Sequence, residues 1–227
     1  KASLFQLNNL LQSSQITDLS TPLFVNSTQS LALNSLLKSF PEQSSLIQKM
    51  QMDTQLAKAN VKVQNAAKKP SVFAFGEYSL DDKQNWIVGI AARYNLFSGV
   101  NNNKNVQAAE LQRYASELMT ERAKQEIESV IYSAYSGAAA AQQSDQLLQR
   151  NLKAAQENLR IQELSFKEDM GTAAQVIDAQ NALSGLKSET ALNAYKYVMS
   201  LAALLQSHGS IEQFQTYINQ PNTRYVR

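Results

Sequence analysis

The chain contains one long stretch, from about Asn102 to Gln206, in which no proline occurs and apolar residues recur at steps of three and four. This period places the apolar side chains along one side of an α-helix. A single break at Lys167–Thr172 separates a first arm from a second arm that begins at Ala173. At the helical rise the two arms would reach about 97 Å and about 50 Å. We therefore predict a long antiparallel helical hairpin with unequal arms.

The break also predicts how the two helices end and begin. Gly171 would adopt the left-handed conformation that closes many helices, and Thr172 would cap the next helix. We expect the second helix to end near Gly209 in another glycine cap. His208, beside that cap, would then interact with the dipole at the helix C-terminus.

Shorter segments precede this hairpin. They are a helix over 2–11, a short strand over 23–25, a short helix over 31–37 and a longer helix over 42–69. Pro41 would stop the short helix and Pro70 the longer one, because a residue before proline disfavours the helical conformation. The helices 42–69 and 173–206 together match the length of the first arm. We expect these two helices to stack end to end beside the first arm. Segments 12–40 and 207–220 would gather where the two helices meet.

The period changes to two between residues 72 and 96. One face of the second strand carries Trp86, Val88, Ile90, Ala92, Tyr94 and Leu96, and the other carries Gly89, Ala91, Arg93 and Asn95. The matching face of the first strand carries Val72, Ala74, Gly76, Tyr78 and Leu80. The pattern predicts a β-hairpin with its turn at 81–85. Phe73 and Phe75 interrupt the polar face of the first strand.

Alternation of this kind occurs both in soluble sheets and in the strands of membrane barrels. Aromatic residues lie at both ends of the hairpin, Trp86 at one end and Tyr94 with Phe97 at the other. Alternation by itself is more often that of an ordinary soluble hairpin. The aromatic placement shifts the balance modestly towards a barrel, whose strands carry aromatic girdles at the two membrane interfaces.

Composition excludes several classes of function. The chain has 21 Lys and Arg against 19 Asp and Glu, spread along both arms, so it lacks the basic patch of a nucleic-acid-binding protein. It has no Cys, a single His and no Gly-rich phosphate loop, which leaves no catalytic constellation. Asp81 and Asp82 fall in the predicted turn, where two acids are usually just solvated. We therefore expect no enzyme, no cofactor and no metal site.

A set of short motifs resembles a known family. The motifs are Pro70-Ser-Val, Trp86-Ile-Val-Gly-Ile, Tyr94-Asn-Leu-Phe-Ser-Gly99, Met170-Gly-Thr172, Val176-Ile-Asp-Ala-Gln-Asn181 and Ala194-Tyr-Lys-Tyr197. Their order and spacing over nearly the whole chain resemble the C-terminal half, or second structural repeat, of TolC-type outer-membrane efflux proteins. The resemblance implies a mainly α fold of the tunnel type. It also implies that the β-hairpin contributes to a transmembrane β-barrel closed by three protomers.

The resemblance also implies a division of the chain. Its five parts are the end of the first-repeat helix with an equatorial linker (1–40), an upper helix (41–70), the barrel hairpin (71–97), the periplasmic helical hairpin with its tip near 171 (98–206) and an equatorial C-terminal segment (207–227). The opening residues 1–12 would then close the helical hairpin of a preceding repeat. We accordingly expect the chain to be a piece of a longer protein.

Site residues follow from the same resemblance. Met170, Gly171 and Thr172 would dock the helical hairpin of a periplasmic membrane-fusion adaptor. Gln175 and Asp178 would lie at the periplasmic entrance, where acids favour cations over anions. Related sequences often have an acid where this chain has Gln175, which argues against a double acidic ring, and a solvated acid remains the alternative for Asp178. In the barrel, the lipid face would carry Trp86, Val88, Ile90 and Tyr94, and the lumen face Glu77 and Arg93.

The function implied is that of a passive trimeric duct for drugs or secreted substrates in a tripartite efflux system. Its partners would be copies of itself, the adaptor, the inner-membrane pump indirectly and outer-membrane lipid, with no nucleic acid. Its location would be the outer membrane and periplasm of a Gram-negative bacterium. The alternative is a soluble periplasmic coiled-coil interaction or adaptor protein without a pore.

Overall fold

A computed structural model describes residues 2–12, 22–27, 32–78, 86–94 and 102–226. In chain order the described elements are α1 (Ala2–Leu11), β1 (Leu23–Asn26), α2 (Leu33–Gln43), α3 (Ser45–Ala66), β2 (Ser71–Tyr78), β3 (Trp86–Arg93), α4 (Asn102–Lys167), α5 (Ala173–His208), a 3-10 turn (Ile211–Gln213), α6 (Phe214–Ile218) and β4 (Thr223–Val226). The chain divides into two compact units. We call residues 1–36 with 130–227 the terminal unit, and residues 37–129 the hairpin unit.

The long helices α4 and α5 confirm the mainly helical fold and the break between them. The helix α2 is longer than predicted, because Pro41 lies inside it and the helix ends only at Gln43. A proline removes one hydrogen bond of the preceding turn without ending the helix at once, and here the chain continues for two more residues. Ser44 then separates α2 from α3. None of the described helices is long and apolar enough to cross a membrane.

The core of the terminal unit forms where α5 meets the strand β1 and the segment that follows α5. Strands β1 and β4 pair antiparallel, with Phe24 opposite Tyr225. Apolar side chains of β1, α4, α5 and α6 form one buried cluster of Phe24, Val25, Ala138, Ala141, Ala194, Tyr197, Leu201, Leu205, Tyr217 and Ile218. The Phe24 ring meets Tyr197 edge-on, with ring centroids 6.0 Å apart. Residues 23–26 and 214–218, from the two segments expected to gather together, do pack on one another.

Asn26 is the polar centre of this core and is only 1% exposed. Its side-chain oxygen accepts a hydrogen bond from the Tyr197 hydroxyl at 2.8 Å. Its amide nitrogen lies 3.0 Å from the Tyr217 carbonyl and 2.7 Å from the Thr223 hydroxyl. The backbone carbonyl of Asn26 accepts from the Gln142 amide at 2.8 Å. One residue therefore ties β1 to α4, α5, the end of α6 and β4.

The helix α5 ends as predicted at a left-handed Gly209, with φ of 90°. The Ser210 amide donates to the Leu205 carbonyl at 2.9 Å, which completes the closing turn. His208 is largely buried and its Nδ1 lies 2.9 Å from the Ser210 hydroxyl. Burial lowers the pKa of His208. Burial therefore favours the neutral imidazole, and His208 does lie in the last turn of α5; its interaction with the helix dipole stays a prediction.

In the hairpin unit, α3 packs against the first half of α4 through hydroxyl groups. Thr54 Oγ1 lies 3.1 Å from both the Ser116 and Thr120 hydroxyls, and Thr54 and Thr120 are buried. Beside this cluster, Glu117 accepts from Lys58 at 3.2 Å and from Arg113 at 2.8 Å. The hydrogen bond from Lys58 is the main cause of the lowered pKa of Glu117. These contacts fix the pairing of the two helices within the unit.

Candidate functional site

The turn between α4 and α5, residues 168–172, closes the first helix in an unexpected way. Asp169, not Gly171, adopts the left-handed conformation, with φ of 56°. The Met170 amide donates to the Ser165 carbonyl at 2.9 Å, and the Asp169 amide to the Phe166 carbonyl at 3.3 Å. This pair of bonds is the Schellman motif, with Asp169 in the position that glycine usually takes. The prediction of a left-handed Gly171 is therefore wrong.

Gly171 suits its position for a different reason. A Cβ atom at this position would lie 3.2 Å from the Phe166 nitrogen and 3.2 Å from the Ser165 carbonyl carbon. The chain passes back so closely over the end of α4 that a side chain would crowd the backbone. A short polar residue such as Asp tolerates the left-handed conformation, which leaves the glycine free for the point of closest approach.

Thr172 caps α5, as predicted, and it does so together with Gln175. The Gln175 amide donates to the Thr172 hydroxyl at 3.4 Å, and the Thr172 amide donates to Gln175 Oε1 at 2.8 Å. This reciprocal arrangement is a capping box, which satisfies two amides that the first turn of a helix leaves free. The sequence Thr172-Ala-Ala-Gln175 carries that signature, although only Thr172 was predicted as a cap. The capping box gives Gln175 a local structural role at the start of α5.

The exposed surface of this turn is apolar and acidic. Met170 is 79% exposed, and Ile177 on the first turns of α5 is 56% exposed. Asp178 is exposed as well. Among the residues that the structure describes, it has no hydrogen-bond or ion-pair partner. The turn thus presents the projecting Met170, and the unpaired Asp178 follows on the second turn of α5. The roles predicted for Met170, Gly171, Thr172, Gln175 and Asp178 stay predictions.

The strands β2 and β3 form the second candidate site. They pair antiparallel with Tyr78 opposite Trp86, Gly76 opposite Val88 and Ala74 opposite Ile90. This register places the alternating apolar residues of both strands on one face, as the sequence predicts. The predicted turn at 81–85, and Leu80, Asn95, Leu96 and Phe97, lie outside the described residues.

Large apolar side chains on this common face are open to solvent within the chain. Their exposed fractions are 71% for Trp86, 72% for Val88, 80% for Ile90 and 55% for Tyr94, which follows the strand. Monomeric soluble proteins seldom leave so continuous an apolar surface uncovered. Glu77 and Arg93 lie on the other face of the hairpin. Their cross-strand partners are Ile87 and Ser71 respectively. The assignment of the two faces to lipid and lumen stays a prediction.

The described part of the chain holds no group of three or more His, Cys, Asp or Glu side chains that could bind a metal ion. The ion pair of Arg224 with Asp145 fastens β4 to α4 and is half-buried. It belongs to the packing of the terminal unit and lies apart from the turn and the hairpin along the chain.

Comparisons with known proteins agree with this architecture. The model of the family described as "Outer membrane efflux protein" matches residues 36–210. A search of curated protein sequences finds no significant match. Among solved structures, a membrane protein from Pseudomonas aeruginosa is 19% identical, with a TM-score of 0.71, and the match covers 92% of this chain and 53% of that one.

Two further structures have the same fold. The MtrE outer membrane channel of Neisseria gonorrhoeae, in its open state, is 20% identical with a TM-score of 0.71, covering 91% of this chain and 49% of that one. The CmeC outer membrane channel of Campylobacter jejuni is 15% identical with a TM-score of 0.65, covering 95% and 48%. The chain thus spans about half the length of each structure. Since the family model extends from α2 to the C-terminal cap of α5, the chain belongs to the outer membrane efflux protein family.

Proposed function

We propose that the chain forms part of a passive export channel in the outer membrane and periplasm of a Gram-negative bacterium. The observation that carries the proposal is the β2–β3 hairpin, whose apolar face is in register and uncovered. Family membership and the folds of the MtrE and CmeC channels support it. The channel performs no reaction, and the energy for transport comes from the pump.

Assembly with other strands is part of the proposal. A two-stranded hairpin in lipid would leave the backbone groups of its outer edges without partners, and each such group costs several kcal/mol in hydrocarbon, about 2–7 by transfer measurements. Closing a barrel with strands from other protomers removes those edges. We therefore propose a homotrimer, in which Trp86, Val88, Ile90 and Tyr94 face lipid and Glu77 and Arg93 face the lumen.

Conductance tests this function directly. The whole protein, reconstituted in a planar lipid bilayer, is expected to produce discrete current steps. Absence of current under all voltages and salt conditions would remove the channel proposal. A soluble periplasmic coiled-coil protein is the competing function. Trp86, the only Trp in this chain, discriminates between the two in a variant of the whole protein in which any other Trp is replaced by Phe. In a channel, brominated lipid quenches its fluorescence, whereas in a soluble protein it does not.

The turn at 168–172 would be the docking site for a periplasmic adaptor, which connects the channel to the pump. Its support is the projecting Met170 and the local order that the Schellman motif and the capping box impose on the turn. A photo-crosslinking amino acid in place of Met170 is expected to capture the adaptor in cells. The same substitution at Met199, 52% exposed on α5, is the matched control. Equal capture at both positions would contradict docking at the turn.

A further inference from the structure

The hairpin β2–β3 has large apolar residues on both of its faces. Phe73, Phe75 and Ile87 lie on the face opposite Trp86, and they are 47%, 44% and 59% exposed. Strand register is usually fixed because one face is buried and the other is not. A hairpin exposed on both faces lacks that restraint. A slip of one residue would turn the apolar face of one strand away from that of the other.

One cross-strand contact distinguishes the observed register. Phe75 is paired with Gly89, and its ring lies over the glycine. A Cβ atom on Gly89 would be 2.8 Å from the Phe75 Cζ atom and 3.0 Å from Cε1, so the ring occupies space that a side chain would need. Gly76, on the other face, has no such neighbour, since a Cβ there would be 3.8 Å from the nearest atom, Val88 Cγ2.

We propose that the Phe75 ring and Gly89 form a register lock that keeps the two apolar faces of β2 and β3 together. A slip of one residue would place Phe75 opposite Val88 or Ile90. Both are branched at Cβ, and after the slip their side chains would occupy the space that Gly89 now leaves to the ring. An aromatic ring that covers a cross-strand glycine is a recognised way of pinning strand register.

The lock gives a reason for Phe75, one of the two aromatic residues that interrupt the polar face of β2. It holds Trp86, Val88 and Ile90 on the side of Ala74 and Tyr78, so that the hairpin presents one continuous apolar face. The identity of that face as the lipid face rests on the proposed function. The register itself does not, and it can be measured without any current.

Disulfide trapping in the whole protein, in the membranes of cells that produce it, tests the lock. The Ala74→Cys/Ile90→Cys pair reports the observed register, in which these residues are partners. The Ala74→Cys/Ala91→Cys pair reports a slip of one residue, because its Cβ atoms otherwise point to opposite faces. Each pair is combined with Phe75→Leu, with Gly89→Ala and, as the matched control, with Gly76→Ala.

We expect Phe75→Leu and Gly89→Ala each to lower the ratio of native to slipped disulfide by up to about fivefold, the upper end of what one cross-strand pair provides. Gly76→Ala should leave the ratio unchanged. An unchanged ratio in all three variants would overturn the lock. Loss of both disulfides in Phe75→Leu or Gly89→Ala would overturn it too, because the contact would then serve pairing and not register. A protein that cross-links natively but does not conduct would refute the channel alone.

Discussion

Asn26 is the residue on which most of the terminal unit converges. Its amide has two N–H groups, and three acceptors lie within 3.2 Å of the nitrogen, on Tyr217, Gln220 and Thr223. The amide hydrogens are therefore shared, and the side-chain oxygen is the acceptor for the Tyr197 hydroxyl. A buried network of this kind holds elements in one arrangement only while its members are paired.

Replacing Asn26 with alanine should destabilise the terminal unit by about 2–3 kcal/mol, because the buried Tyr197 hydroxyl loses its acceptor and the Tyr217 carbonyl loses a donor. Urea unfolding of the chain, followed by circular dichroism, measures the change. Asn151→Ala, the same substitution at an exposed position of α4, is the control and should alter stability by less than about 0.5 kcal/mol. Equal losses in the two variants would contradict the role of Asn26.

Tyr197 makes the stability of the chain depend on alkaline pH. Burial is the largest cause that raises the pKa of Tyr197 from 10.0 to about 12. Between these values the folded chain keeps the phenolic proton while the unfolded chain releases it. The retained proton of Tyr197 therefore adds to the free energy of unfolding. This stabilisation is complete below about pH 10 and is lost as the pH rises to about 12, a total of about 2–3 kcal/mol.

Tyr197→Phe cannot titrate, so the stability difference between wild type and this variant should shrink across that pH window. Unfolding midpoints in urea at pH 9, 10, 11 and 12 measure the difference, and absorbance near 295 nm follows tyrosinate formation. Parallel stability curves for the two proteins would show that Tyr197 does not keep its proton in the folded state.

At the scale of elements, the turn between α4 and α5 needs one residue in the left-handed conformation and another that can lie close to the end of α4. Asp169 takes the left-handed conformation, and Gly171 passes close to the end of α4. Asp169→Gly should be neutral or stabilise by up to about 1 kcal/mol, because glycine adopts a left-handed conformation without strain. Gly171→Ala should destabilise, because its methyl group would crowd the Phe166 nitrogen. Thermal unfolding of the two variants measures both effects.

If Gly171→Ala were tolerated and Asp169→Gly destabilised the chain, the observed closure of α4 would be contradicted. Gly171 would then hold the left-handed conformation that the sequence predicts. Ala173→Gly is a control for the number of glycines in the turn. It lies in the first turn of α5, where glycine costs helix propensity only, about 1 kcal/mol.

The long helices, the β2–β3 hairpin and the short strand at 23–25 could be predicted from the sequence, and the short elements after α5 could not. The helices α4 and α5 and the faces of β2 and β3 follow from hydrophobic periods that extend over many residues. The strand β4 has four residues and pairs with β1 almost two hundred positions away, so no local pattern marks it. The left-handed Asp169 was missed because Gly171, two residues later, is the more usual residue for that conformation.

At the scale of the whole molecule, the channel proposal predicts how charge at the entrance controls ion flow. Asp178 is exposed near the start of α5, and the described residues offer it no cation as a partner. Three copies around one entrance would form an acidic ring, which attracts cations and repels anions. Asp178→Asn should therefore lower the ratio of potassium to chloride permeability, measured from reversal potentials in a salt gradient.

Glu189 provides the matched control for this change. It is also an exposed acid on α5, eleven residues later, which is about three helical turns and nearly the same side of the helix. At about 16 Å from Asp178 it lies beyond one Debye length at physiological salt, so Glu189→Gln should affect selectivity at the entrance much less. Equal effects of the two substitutions would place the selective charge elsewhere. Loss of the Asp178 effect at 1 M salt would be expected, because screening then shortens the reach of each charge to about 3 Å.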